Sequence, residues 1–177
     1  MSHLHSGKAQ PMTITKTDGR QDFDFAIGRW RVHNRKLANV LDLTCTDWIE
    51  FDAICEVHPI LDGLGNFDTF VPIGLPEDKH YEGATLRMFD PSTGLWRMWW
   101  VSSRTTDRVD EPVAGRFTDG HGQFFCDDVI SGTPVKVRYD WFDVEPGCTR
   151  WEQAFSRDGG ATWATNWVMT SAREDAP

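Results

Sequence analysis

The sequence contains no apolar run that approaches the roughly 18 residues a membrane-spanning helix needs. Its first dozen residues are polar and lack the apolar segment of a secretory leader. It also lacks a C-x-x-C pair, because its four cysteines lie far apart in the chain. Such spacing is typical of free thiols rather than of a disulfide framework. From these absences we expect a cytoplasmic protein.

Basic residues are scarce as well. The chain has 18 Lys and Arg against 27 Asp and Glu, which gives a net charge of -9 at pH 7. Nucleic acid phosphates and anionic membranes bind to basic patches. The richest basic segment, residues 29–36, places Arg29, Arg31 and Arg35 on one face of a predicted strand, which indicates a solvated face. We therefore expect neither nucleic acid nor membrane as a partner, while a homodimer stays open.

No catalytic or metal-binding constellation is recognisable from spacing. The sequence shows no Ser-His-Asp or Cys-His arrangement, and its six histidines have no metal-ligand spacing. His3 and His5 fall in a polar stretch, residues 1–20, that we predict to be a disordered tail. Residues 21–173 then form a single domain, for which 40% hydrophobic residues supply one core. We expect no metal and no cofactor, although distant residues could still assemble an enzyme site.

What the sequence does have is a repeated alternation of apolar and polar residues from residue 28 onward. Short segments with Gly, Asp or Pro separate the alternating runs, as hairpin turns require. The predicted strands are residues 28–35, 48–57, 67–71, 81–89, 95–104, 112–118, 123–130, 133–144, 149–156 and 162–173. Short connections favour an all-β, antiparallel up-and-down barrel of about ten strands, whose closure removes exposed edges. Residues 21–27 predict one helical turn that plugs an end of the barrel.

The alternation also predicts which side chains face the interior. For residues 95–104 both faces are partly apolar, and we favour the face that carries Trp96, Trp100 and Arg104. The predicted ligand-binding residues are Trp100, Arg104, Tyr139, Trp151, Gln153, Thr165 and Trp167, an aromatic set with few polar groups, as small-molecule pockets have. The predicted outward residues are Glu50, Arg87, Asp128 and Glu152. In the third strand, Phe67, Thr69 and Val71 continue the apolar face of the second.

Two segments together carry a resemblance to a known group. An apolar turn at residues 23–27 precedes Gly28-x-Trp30, and the last predicted strand contains Trp167 and ends near Arg173. With the strand count, these features resemble the calycin group of lipocalin-like barrels, in particular an uncharacterised bacterial family of that type, over roughly residues 22–173. The resemblance implies that Trp30 packs at the closed end beneath Arg173, with Gly28 also structural. It further implies a small apolar or amphipathic ligand inside the barrel.

Four functions are compatible with these observations. The leading hypothesis is non-enzymatic binding of a small hydrophobic or amphipathic ligand in the barrel. An enzyme could use the same cavity, with Tyr139 or Arg104 polarising a substrate. A haem-binding barrel needs an axial ligand, and the histidines of the predicted domain fall outside the predicted inward faces. Nine tryptophans could instead fill the interior and leave a packed structural barrel.

One short motif has a structural interpretation. Residues 156–163 match the Asp-box pattern S-x-D-x-G-x-T-W, which is best known from sialidase-type propellers. A propeller needs several copies of a blade, whereas this chain has one copy and is too short. We therefore expect the motif to form a hairpin turn with Trp163 packed beneath it.

Overall fold

The computed structural model describes residues 18–174, and ten strands form a closed antiparallel barrel. The strands are β1 (Gly28–Leu37), β2 (Trp48–Ile60), β3 (Gly65–Ile73), β4 (Gly83–Asp90), β5 (Leu95–Ser102), β6 (Val113–Thr118), β7 (His121–Ile130), β8 (Thr133–Glu145), β9 (Cys148–Ser156) and β10 (Ala164–Arg173). Each strand pairs with the next along the chain, and β1 pairs with β10. The predicted up-and-down barrel is confirmed.

Most of the predicted tail, including His3 and His5, lies outside the described residues. Within the described part of the chain, no helix has the length and hydropathy to cross a membrane. Short 3₁₀ turns occur at Asp24–Ala26, Leu61–Gly63 and Glu77–Lys79.

The first strand shows why alternation specifies the wall. Trp30, Val32 and Asn34 are buried inside, while the residues between them are exposed. On the outer face, Arg31 forms an ion pair with Asp52 of β2 at 2.8 Å. The predicted solvated basic face is present: acidic residues pair with Arg29 and Arg31, and Arg35 stacks on the Trp48 ring at 4.2 Å.

The segment before β1 closes one end of the barrel, as predicted. Phe23, 1% exposed, lies among the rings of four aromatic residues. Its ring centroid is 5.0–5.7 Å from those of Trp96, Phe117, Phe124 and Trp141. Edge-to-face contacts of this kind stabilise beyond the area they bury. The interior at this end, which we name the closed end, is therefore solid.

Arg173 fastens the closed end. Its guanidinium carbon lies 4.4 Å from the centroid of the Trp30 ring, and its two terminal nitrogens donate to the carbonyls of Ile27 (2.8 Å) and Phe25 (2.9 Å). Trp30 is 4% exposed and donates from Nε1 to the Ala26 carbonyl at 2.7 Å. The contact between Trp30 and Arg173 that the resemblance implies is present.

Gly28 leaves room for this arrangement. Its φ of +119° suits glycine, and a Cβ at this position would collide with Nη1 of Arg173. Gly28 is thus structural for two reasons, its backbone conformation and the close approach of the guanidinium.

The Asp-box motif forms the turn between β9 and β10. Asp158 accepts hydrogen bonds from the Thr162 amide at 2.9 Å and from the Ser156 hydroxyl at 2.7 Å. Trp163 donates from Nε1 to the Gly160 carbonyl at 3.1 Å. The predicted hairpin turn with a packed tryptophan is confirmed.

Candidate functional site

The barrel contains a cavity of about 610 Å³, which extends from the plug residues Phe25 and Ala26 toward the opposite end. It opens where β1, β3, β5, β7 and β9 end, between the loop that follows β1 and the segment that joins β5 to β6. Binding sites for small molecules commonly fall in a range of about 300–1,000 Å³. The tryptophans therefore do not fill the interior, contrary to the alternative of a packed barrel.

The walls of the cavity near the opening are aromatic. The Trp167 ring lies edge-to-face with the rings of Trp100 (6.1 Å between centroids), Trp151 (5.5 Å) and Phe70 (6.2 Å). Tyr139 packs against Trp151 at 4.9 Å. These rings support one another through contacts that fix their orientation. They form a wall against which a flat or aliphatic molecule can pack.

Six of the seven predicted ligand-binding residues line this cavity. They are Trp100, Arg104, Tyr139, Trp151, Gln153 and Trp167. The inward face favoured for the fifth strand is the observed one, since Trp96 and Met98 are each 2% exposed.

Thr165 is the exception, and the prediction for it is wrong. The pairing between β9 and β10 matches Thr165 with Ala154 and Trp167 with Gln153, so Asn166 is an extra residue in a β-bulge. The bulge shifts the alternation by one residue, which turns Thr165 outward. There its hydroxyl lies 3.4 Å from Oε2 of Glu152.

Buried amide side chains hold the wall in place. Gln153 donates to Oδ1 of Asn166 at 2.7 Å, and Trp167 donates from Nε1 to Oδ1 of Asn34 at 2.9 Å. Both amide acceptors are buried, Asn34 at 0% and Asn166 at 4% exposed. These two hydrogen bonds join Gln153 to Asn166 and Trp167 to Asn34, and they fix the orientation of the wall.

Arg104 lies at the rim rather than on a strand, because β5 ends at Ser102. Its guanidinium carbon is 4.3 Å from the centroid of the Tyr81 ring, and Nη2 donates to the Lys79 carbonyl. Burial raises the pKa of Tyr81 to about 12, so its hydroxyl stays protonated at neutral pH. The contacts with the Tyr81 ring and the Lys79 carbonyl hold the positively charged guanidinium of Arg104 in place at the opening.

Sequence reasoning missed a buried ion pair in the cavity wall. Arg87, predicted to face outward, lies inside and pairs with Oδ2 of Asp68 at 2.6 Å. It also donates to Oδ1 of Asn66 at 3.0 Å. The buried face of β3 is consequently Asn66, Asp68 and Phe70, and not the face of Phe67 that we predicted. Hydrophobic alternation misleads here because the inner face is polar.

The other residues predicted to face outward divide between the two sides. Glu50 and Glu152 are outside, whereas Asp128 lines the opening of the cavity. Glu152 accepts hydrogen bonds from Arg150 on the outer face of β9.

Lys36 is a second residue that sequence reasoning missed. We ended the first strand at residue 35, but β1 continues to Leu37 and places Lys36 on the same inner face as Asn34. Lys36 lies opposite Trp167 in the pairing of β1 with β10, and its Nζ is 3.6 Å from the centroid of that ring. Continuing the alternation of the first strand from Asn34 by two residues would have placed Lys36 on the inner face.

The thiols and phenols in the lining are not activated. Burial raises the pKa of Cys55 and Tyr139, and it raises the pKa of Cys126 to about 12. These thiols and the phenol therefore stay protonated at neutral pH. Among residues 18–174, the cavity lining contains no histidine, whose imidazole is a common base and haem ligand.

The sequence matches no protein family model and no curated protein. Solved structures do resemble the chain. The crystal structure of Rv2717c from M. tuberculosis superposes with a TM-score of 0.58 at 10% identity, covering 89% of this chain and 98% of that one. The S-type phycobiliprotein lyase CPES from Guillardia theta gives 0.37 at 11% identity, with 90% and 97% covered. A protein of unknown function from the DUF3598 family, from Nostoc punctiforme, gives 0.25 at 7% identity, with 90% and 100% covered.

Such low identities bear on the fold alone, and the two lower TM-scores carry no argument. The likeness to Rv2717c extends over nearly the whole of that chain. Together with the closed ten-strand topology, this likeness supports the fold, a closed antiparallel barrel, and nothing beyond the fold.

Proposed function

We propose that the protein binds a small hydrophobic or amphipathic molecule inside the barrel and does not transform it. The observation that carries this proposal is the open cavity of about 610 Å³ with its aromatic wall. Burying an apolar ligand there would release about 25 cal/mol for each Å² removed from water. The interlocked rings of Trp100, Trp151 and Trp167 would be ordered before the ligand arrives, which lowers the entropic cost of binding.

Three further points belong to this proposal. We propose that the chain is a member of the uncharacterised bacterial calycin family that its Gly28-x-Trp30 and Arg173 resemble. We place its action in the cytoplasm, which its four free cysteines support. A homodimer stays a prediction, which sedimentation equilibrium would check.

The experiment uses the neutral probe N-phenyl-1-naphthylamine, whose emission rises in an apolar site. We expect saturable binding to the wild type together with quenching of tryptophan emission. The variant Met169→Trp replaces a thioether side chain by a larger indole ring inside the cavity and should abolish binding. Its matched control is Val168→Trp, one residue earlier on β10 and on the opposite face of the wall.

Binding that survives Met169→Trp, or is lost equally in Val168→Trp, would argue against a site inside the barrel. If the wild type shows no saturable binding at all, the proposal of a ligand-binding barrel fails. Circular dichroism of both variants establishes that each retains the strands.

A further inference from the structure

Lys36 is a cation at the cavity opening, and among residues 18–174 no carboxylate forms an ion pair with it. Its neighbour across the β1–β10 pairing is the Trp167 ring, which attracts a cation through its π face. The charged group whose field acts on it is Arg104, which is also positive. Lys36 therefore lacks the acidic partner that a half-buried ammonium usually has.

Arg104 has no acidic partner either in the described part of the chain. The Tyr81 ring and the Lys79 carbonyl hold its guanidinium at the rim, and the remaining N–H groups stay available. Burial and the field of Arg104 together lower the pKa of Lys36 to about 8. Two basic side chains, those of Lys36 and Arg104, therefore line the same opening.

The acidic residues of the opening lie on the other side of it. Asp110 and Glu111 precede β6, which in the order of the barrel stands opposite β1, five strands away in either direction. Asp128 lies on β7, and Arg108 approaches Asp110 at 3.9 Å. The other charged or titratable groups that line the cavity among residues 18–174 are Tyr81, Tyr139, Cys55, Cys126 and the ion pair of Arg87 with Asp68. The acidic residues thus lie toward β6 and β7, where Arg108 approaches Asp110, whereas the charged ends of Lys36 and Arg104 lie against the Trp167 and Tyr81 rings.

Building on the proposed ligand-binding function, we infer that the ligand is an amphipathic organic anion, such as an aromatic or aliphatic carboxylate. Its acid group would lie between Lys36 and Arg104, and its apolar body would pack against the wall formed by Trp100, Trp151 and Trp167. A charge-assisted bond to each cation replaces the repulsion between them. The acidic side of the opening disfavours the reverse orientation.

The inference carries a pH dependence with a defined sign. In the free protein Lys36 loses its proton near pH 8, whereas a bound anion raises its pKa toward or above the ordinary value for lysine. Binding an anion therefore takes up protons at pH values above about 8. Affinity for an anion should be constant below that pH and fall as the pH rises through it.

The test compares two probes of closely related structure. 1-Anilinonaphthalene-8-sulfonate is an anion, and N-phenyl-1-naphthylamine has the same ring system without the sulfonate. We expect Lys36→Met and Arg104→Met each to lower the affinity for the anionic probe by about 10-fold or more, because hydrogen bonds to charged groups are stronger than those between neutral groups. The neutral probe should change by less than about twofold. Lys36→Arg should keep most of the affinity for the anion.

The matched control is Lys136→Met, which removes a lysine that pairs with Asp127 on the outer wall. This substitution should leave the affinity for both probes unchanged. The wild-type affinity for the anion should fall between about pH 7 and about pH 9, and Lys36→Met should remove that dependence.

The outcomes separate the two proposals. In one outcome the neutral probe binds while the anionic probe has the same affinity for Lys36→Met, Arg104→Met and the wild type. That outcome refutes the anionic ligand and leaves the proposed binding function standing. If neither probe binds saturably, the binding function itself fails. Retained binding of the neutral probe shows that each variant is folded.

Discussion

Removing the Arg173 guanidinium should loosen the closed end, and the loss can be estimated from its contacts. Its stacking on Trp30 contributes about 0.5–1 kcal/mol at an exposed site. The hydrogen bonds to Ile27 and Phe25 contribute about 0.5–1 kcal/mol each, at the low end because the arginine is solvated. Arg173→Met should therefore cost about 2 kcal/mol. For a domain of this size, that lowers Tm by about 4–8 °C.

The assay is thermal and urea unfolding, followed by circular dichroism and tryptophan emission. The control is Arg29→Met, which removes an exposed arginine paired with Glu56 and Glu174 at the same end. Ion pairs between exposed side chains contribute little to stability, so this variant should lose less. If Arg173→Met lowers Tm no more than Arg29→Met does, the guanidinium does not lock the plug.

A double-mutant cycle sharpens the argument. Gly28→Ala should cost about 1–3 kcal/mol, since the backbone is at φ +119° and the new Cβ meets the guanidinium. Arg173→Met removes that collision but leaves the backbone strain. The two losses should therefore combine to less than their sum, by about 0.5 kcal/mol or more. Strict additivity would show that Gly28 and Arg173 act separately.

Other predictions follow from particular contacts. Phe23→Ala should cost about 3–5 kcal/mol in urea unfolding, because four aromatic rings lose their partner; a loss below about 1 kcal/mol would contradict a packed plug. Hydrogen bonds from Thr162 and Ser156 hold the pKa of Asp158 well below its usual range. The Tm advantage of the wild type over Asp158→Asn should therefore be complete above about pH 5 and shrink as the pH falls below about 4, and a pH-independent gap would refute this. Thr165→Ala should leave binding of N-phenyl-1-naphthylamine unchanged while Trp167→Ala weakens it, and equal effects would put Thr165 in the cavity.

The local pattern of apolar and polar residues was sufficient to predict most of the barrel wall. Alternation and turn residues indicated ten strands and the inner faces of β1, β5, β8 and β9, because in these strands the inner face is apolar or aromatic over several steps. The contact between Trp30 and Arg173 came from the resemblance, since no local pattern links residues so far apart in sequence.

Three features of the site required the tertiary structure. Arg87 faces inward because the pairing of β3 with β4 brings it to Asp68 and Asn66, and a buried ion pair leaves no apolar signal in either strand. Thr165 faces outward because the bulge at Asn166 changes the register within β10. Lys36 enters the cavity because β1 extends far enough to pair it with Trp167.

The sequence by itself determined the class of the fold and the aromatic character of the interior, since a period of two and frequent turn residues act locally along each strand. It did not determine whether nine tryptophans fill the barrel or surround a cavity. That outcome depends on how the ten strands close into a barrel and on which aromatic rings pack against the plug at the closed end. The interior volume and the placement of Lys36 and Arg104 at its opening are properties of the closed barrel, to which every strand contributes at once.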